Sequence, residues 1–200
     1  MECISNDYKS ICHDLIESIV FALDAKDTYT AKHSIRVGDM ACQVCKFLKL
    51  SSEDTETIHI AGHVHDIGKI GIPDRILNKE SKLNDDEWNV IKQHPAIGAK
   101  ILSSSKKLDK ISEIILYHHE RVDGKGYPRG LKGKEIPLGS RIIAVCDSID
   151  AMLSKRAYRD SLQLNICKSE IEKNVGIMYD EEIAACVLKN WDFINNKIKK

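Results

Sequence analysis

Two adjacent pairs of metal-ligating side chains stand out, His65-Asp66 and His118-His119, each at the expected end of a helix. Neighbouring side chains on a helix diverge by about 100°, so such a pair can grip two metals at one site, or one metal and the groups around it. Three further groups join them. His33 lies on the apolar stripe of its helix, His94 sits at the Gln93-His94-Pro95 junction, and Asp147 follows Ile142, Ile143 and Val145 in the most apolar helix of the chain. Burying an unpaired carboxylate costs on the order of several kcal/mol, so an inward Asp147 wants a cation. Imidazole and carboxylate without thiolate suit iron, manganese, zinc or another first-row divalent ion and disfavour a cysteine-rich structural zinc site.

Seven candidate groups exceed what one ion needs, so the economical arrangement is two metals sharing Asp66. A pair of ions about 3.5–4 Å apart is a recurring device for phosphate-ester hydrolysis, generating hydroxide near neutral pH and clamping the phosphoryl oxygens. Lys69, three residues past Asp66, could reach a phosphate oxygen or steady a leaving group; the alternative is a solvated lysine in a glycine-rich turn. A rival ligand set exists, because His59, His63 and Asp66 share a face at i, i+4 and i+7. A lone histidine on an apolar face is more often a hydrogen-bonded core residue, and His13 reads as a surface residue. Cys42 and Cys45 form a CxxC on an amphipathic helix with no second pair, better explained by packing than by redox or zinc chemistry.

The elements that must position these groups are helical. Tyr8, Ile11, Cys12, Leu15, Ile16, Ile19 and Leu23 recur at spacings of three and four, and His33, Val37, Met40, Val44 and Phe47 repeat the pattern. Ser51 or Ser52 looks like the cap of a helix through His65. Asp85-Asp86-Glu87 opens another toward Gln93, and Pro95 restarts the next. Further helices are expected over Leu108–His119, Ser140–Leu153, Leu162–Asn174 and Glu181–Ile198. No segment alternates with period two, so the fold expected is a compact all-α bundle. Glu120–Leu138 breaks the pattern. Nineteen residues without periodicity exceed the usual ~12–15 residue ceiling for a connection, and Tyr127 with two prolines argues for an ordered, functional loop.

Composition narrows the classes. The 200 residues carry 30 basic and 30 acidic side chains, with 42% hydrophobic residues. That balance is globular, and zero net charge gives no electrostatic case for duplex nucleic acid. No apolar run approaches the ~20 residues of a membrane helix, and the N-terminus lacks a secretory pattern. Seven scattered cysteines argue against a disulfide framework and for a reducing, cytoplasmic setting. One domain over residues 1–200 is expected, with no attached sensor domain.

The motifs carry a family resemblance. His65-Asp66-Ile67-Gly68-Lys69 resembles the signature of the HD superfamily of metal-dependent phosphohydrolases. His118-His119-Glu120 followed by Asp123-Gly124-Lys125-Gly126-Tyr127-Pro128 is similar to the second signature of its HD-GYP branch. The surrounding segments agree: His33-Ser34-Ile35-Arg36-Val37, Gly71-Ile72-Pro73-Asp74, His94-Pro95-Ala96-Ile97-Gly98 and Ile136-Pro137-Leu138. The resemblance runs from about residue 10 to 190. It implies an HD-type helical bundle with an ordered GYP loop, and a bacterial phosphodiesterase hydrolysing cyclic di-GMP to pGpG and often on to GMP.

By position, the resemblance gives the metal ligands as His33, His65, Asp66, His94, His118, His119 and Asp147, with Asp66 bridging two ions, iron or manganese in preference to zinc. Lys69 takes the phosphate-side role, and Arg156 and Arg159 the substrate-phosphate contacts. The Gly-Tyr-Pro loop is linked to docking on GGDEF-domain cyclases. Two departures stand out. Tyr29 occupies the place of a glutamate that binds a third metal in some members, so two metals are expected and a third is not. Ala157 replaces a proline frequent in the basic turn. Two alternatives stay open: an HD phosphohydrolase acting on 3′,3′-cGAMP or another nucleotide, or a non-catalytic module that binds cyclic di-GMP or docks on cyclases.

Overall fold

Side-chain caps set several helix starts at the places the sequence marks. Ser51 accepts a hydrogen bond from the Asp54 N–H at 3.0 Å, Asn84 and Glu87 form a reciprocal capping box, and Asp180 accepts from the N–H groups of Glu182 and Ile183. The computed structural model describes residues 2–27, 32–154 and 161–193. Within them the helices are α1 (Glu2–Lys26), α2 (His33–Phe47), α3 (Ser52–Val64), α4 (Asp74–Leu77), α5 (Asp85–Ile91), α6 (His94–Leu102), α7 (Asp109–Leu116), α8 (Leu138–Leu153), α9 (Leu164–Lys173) and α10 (Glu181–Lys189). Only two isolated β-bridges occur among the described residues, so the all-α expectation holds. No helix among them is long and apolar enough to cross a membrane.

The core forms where α2 lies against α3 and α8. Val37, Met40, Val44 and Cys45 of α2 meet Ile58 and Ala61 of α3 and Ile142, Ile143, Val145 and Ile149 of α8, all buried. Cys45 belongs to this core, and burial pushes its thiol up to about 12, which removes it from redox chemistry at ordinary pH. The 3₁₀ turn Ile67–Gly71 rests on α6, which in turn packs on α7. Glycine is required at this crossing. A Cβ on Gly68 would lie 1.8 Å from the His94 carbonyl oxygen and 2.5 Å from the Gly98 nitrogen. The close approach brings the Asp66 end of the turn beside His94.

Helix α7 stops three residues short of the expected His119. The His118 ring donates from Nδ1 to the Ile115 carbonyl at 2.6 Å, and Ser140 donates to the Ile114 carbonyl at 2.7 Å. Side chains from beyond the helix thus take the carbonyls of its last turn. The same device recurs twice: His65 Nδ1–H donates to Gly62 O at 2.8 Å after α3, and His94 Nδ1–H to Ile91 O at 2.8 Å after α5.

The segment after His119 is an ordered loop held by its own first residue. Buried Glu120 accepts from the backbone N–H groups of Arg129 (2.6 Å), Gly130 (3.0 Å) and Leu131 (3.1 Å). Asp123 pairs with Arg121 and accepts from the Lys125 N–H, and the Tyr127-Pro128 peptide is cis. Backbone hydrogen bonds from Val122 and Asp123 to Met178 and Ile177 anchor the loop to the stretch before α10.

Candidate metal centre

Each of the three C-capping histidines spends its Nδ1 proton on a carbonyl oxygen, which can only accept. In the neutral ring Nε2 is then a bare lone pair, and the geometry turns all three inward. His94 Nε2 and His118 Nε2 face each other at 3.4 Å. His65 Nε2 is buried without a hydrogen-bond partner, with Asp66 Oδ2 3.4 Å away. His33 is fixed differently, its Nδ1 on Asp150 Oδ2 at 2.7 Å, while its Nε2 faces Asp147 Oδ1 at 3.3 Å. Lone pairs opposed to lone pairs and carboxylates inside a protein repel unless a cation lies among them. The donor set therefore fits divalent metal ions.

Asp66 stands between two groups of donors. Its Oδ1 lies 3.2 Å from His94 Nε2, and its Oδ2 lies 3.4 Å from His65 Nε2 and 3.9 Å from His33 Nε2. The donor atoms of His33, His65 and Asp66 fall within 4.8 Å of one another, as do those of His94, His118 and His119. All seven residues singled out in the sequence converge here. The rival set does not: Asp66 belongs to this centre, whereas His59 and His63 gather with Asp39. Lys69 is no solvated lysine either. Its ammonium bonds Asp66 Oδ2 at 2.7 Å and Asp27 Oδ2 at 3.0 Å. Tyr29, Arg156 and Arg159 lie outside the described residues.

Burial and mutual charge set the protonation of the cluster. Burial lowers His118 well below the ordinary imidazole value, helped by neighbouring His119. It lowers His119 to about 3, assisted by His94, and lowers His65 as well. His33 moves the other way: burial pulls it down, but Asp147 and Asp150 overcome that and raise it to about 9. Asp66 is likewise held well below the carboxylate range against its burial, chiefly by Lys69 and His65. These shifts fix the sign of a stability effect. Below about 6.5, unfolded chains take up protons at His65, His118 and His119 that the folded state refuses, at His119 down to about 3. His33 acts oppositely, adding stability below pH 6.5 that is lost as pH rises through about 9. Three groups outweigh one. The urea midpoint of chelator-treated protein is expected to fall steadily from pH 6.5 to pH 5; a midpoint that rises over that interval would contradict this electrostatic reading.

Several contributors were not found from the sequence. Asp150, fully buried, holds His33 and is itself gripped by Arg36 Nε at 2.6 Å and Nη2 at 2.9 Å. Its signal was the spacing: Asp150 follows Asp147 by three residues and Arg36 follows His33 by three, so each pair shares a helix face. Such carboxylate–histidine partners raise the basicity of a ligand and fix its ring. Asp150→Asn should weaken metal affinity by about 10–100-fold in a chelator competition. Unchanged affinity would mean that His33 needs no such partner.

A cavity of about 490 Å³ opens beside the centre, lined by His118, His119 and Asp147. Trp88, Tyr127 and Tyr179 give it aromatic walls, and Lys92, Arg121 and Lys125 give it cationic ones. The Tyr127 ring stacks on His119 with centroids 4.8 Å apart, so the loop supplies both a wall of the cavity and a contact to the cluster.

A protein-family model described as HD domain matches residues 12–183. The chain belongs to the HD domain family. This bears out the resemblance of its motifs, and the relatives extend it. A cyclic di-GMP phosphodiesterase of Thermotoga maritima is 41% identical over 185 residues, covering 92% of this chain and 50% of that protein. The 3′3′-cGAMP-specific phosphodiesterase 2 of Vibrio cholerae is 32% identical over 188 residues, covering 93% of this chain and 36% of that protein. Among solved structures, a cyclic GMP-AMP-specific phosphodiesterase of V. cholerae has a TM-score of 0.73 at 19% identity, over 93% of this chain and 50% of that one. This likeness shows the shared HD fold. The HD chain spans about half the length of the curated relatives first matched.

Proposed function

We propose that this HD domain is a dinuclear metal phosphodiesterase that hydrolyses cyclic di-GMP to pGpG. The observation that carries the reading is Asp66, with one carboxylate oxygen toward His94 and the other toward His65 and His33. A carboxylate so placed can bridge two ions. His33, His65, Asp66 and Asp147 would hold one, and His94, His118, His119 and the other oxygen of Asp66 the second. Iron or manganese suits this mixed nitrogen and oxygen set. When bound, the ions supply an activated water near neutral pH and neutralise charge on the phosphoryl oxygens.

The chain's own residues do the rest. Lys69, 2.7 Å from Asp66, offsets the negative charge of the bridging carboxylate and presents an ammonium on the phosphate side. Lys92, Arg121 and Lys125 draw a dianionic substrate into the cavity, and Trp88 and Tyr127 offer faces on which a purine can stack. Arg156 and Arg159 are proposed to contact the substrate phosphates, following the family resemblance. The same resemblance makes the Asp123–Pro128 loop the docking surface for a GGDEF-domain cyclase.

The relative specific for 3′3′-cGAMP keeps a second substrate in view. Metal-loaded protein incubated in parallel with cyclic di-GMP, 3′,3′-cGAMP, pGpG and a mononucleotide separates them. Fastest turnover of cyclic di-GMP, with pGpG as first product, is expected. Faster turnover of 3′,3′-cGAMP would shift the substrate and keep the chemistry, and cleavage of no cyclic dinucleotide would reject the reading.

A further inference from the structure

His63 has no role in the centre described above, yet it is 2% exposed and neither of its ring nitrogens has a hydrogen-bond partner. Its ring fills the space over Gly38, where a Cβ would lie 1.9 Å from His63 Cδ2. An imidazole buried with both nitrogens unsatisfied costs stability unless something binds it. The groups it faces are of metal-ligating types. The His59 ring lies 4.4 Å away by centroids, and His59 Nε2 is 3.4 Å from Asp39 Oδ1. The His13 side chain on α1 is 44% exposed, as expected of a surface residue, with Nε2 3.3 Å from Glu17 Oε1, and its ring also lies 5.6 Å from His63 and 5.9 Å from His59.

We propose that Asp39, His59 and His63, completed by His13, form a separate binding site for one zinc-type divalent ion. Donor atoms of the first three lie within 4.8 Å of one another. Tetrahedral zinc, with bonds to nitrogen of about 2.0–2.1 Å, sets its donors about 3.4 Å apart. The Asp39 side chain is 47% exposed and that of His59 23%, so small rotamer changes outside the core would close that difference. Three imidazoles and one carboxylate without thiolate match the borderline ions, zinc foremost. The site shares no residue with the Asp66 centre.

The ion would join three helices. Asp39 comes from α2, His59 and His63 from α3, and His13 from α1. α1 leads directly into Asp27, whose carboxylate holds Lys69 beside Asp66. Zinc at this site therefore clamps α1 and steadies one support of the Asp66 centre from outside it.

The test compares wild type with Asp39→Ala and His59→Ala, at side chains 47% and 23% exposed, each with its helix content checked by circular dichroism. Chelator-stripped proteins are titrated with zinc, reading stoichiometry and the zinc-dependent rise in melting temperature. Wild type is expected to take up one equivalent more than either variant, or to bind that equivalent at least tenfold more tightly. Metals at the Asp66 centre cancel in this difference, so it does not depend on the proposed activity. Equal stoichiometry, affinity and thermal shift in all three proteins would overturn the site.

Discussion

Asp66→Ala should empty both halves of the metal centre and lower cyclic di-GMP turnover by on the order of 10³–10⁴-fold. The magnitude follows from the several kcal/mol that metal ions contribute to stabilising charge in phosphoryl transfer, at about 1.4 kcal/mol per tenfold in rate. One residue commands so large an effect because its two oxygens face different imidazoles, 3.2 Å to His94 and 3.4 Å to His65. The fold should survive, since Lys69 retains its 3.0 Å contact to Asp27. Elemental analysis and turnover on the same preparation, with helix content by circular dichroism as control, check the point. A variant that keeps two metals and a tenth of the activity would contradict it.

Glu120→Ala is expected to act through the loop. The carboxylate accepts three backbone N–H groups, from Arg129, Gly130 and Leu131. Each donor left unsatisfied costs about 1–3 kcal/mol, and partial hydration keeps the sum near about 3 kcal/mol. A loosened loop also releases Tyr127 from His119, so turnover should drop about 10–100-fold while the metal content stays near that of wild type. Glu120→Gln is the sharper comparison. It keeps an acceptor for Arg129 and Gly130 but sets an amide N–H against the Leu131 donor, so its stability loss should fall between wild type and alanine. Urea unfolding of the three proteins reads the order; glutamine as damaging as alanine would mean that packing, not hydrogen bonding, holds the loop.

The ligand set was legible because its residues are rare types at inward helix positions. His33 and Asp147 sit on apolar stripes, and the His65-Asp66 and His118-His119 pairs fall where helices end. The cap at Ser51 was legible through a local rule acting within four residues, whereas the Asn84 cap emerged only from the structure. What escaped were contacts between distant segments. Asp150 reaches His33 across 117 positions, and Asp27 reaches Lys69 across 42. Periodicity places such residues on a face but does not name their partners. The end of α7 escaped for a related reason: the carbonyl that would extend the helix is taken by His118 Nδ1–H, a competition invisible to propensity. The ring of His13 against His59 and His63 likewise depends on how α1 crosses α3.

Metal-specific anomalous diffraction from crystals of manganese- or iron-loaded protein addresses the centre itself. The expected result is two peaks flanking the Asp66 carboxylate, about 3.5–4 Å apart, one beside His33 and His65 and the other beside His94, His118 and His119. A single peak there, or ions bound only away from Asp66, would contradict the shared-carboxylate arrangement on which the proposed hydrolysis rests.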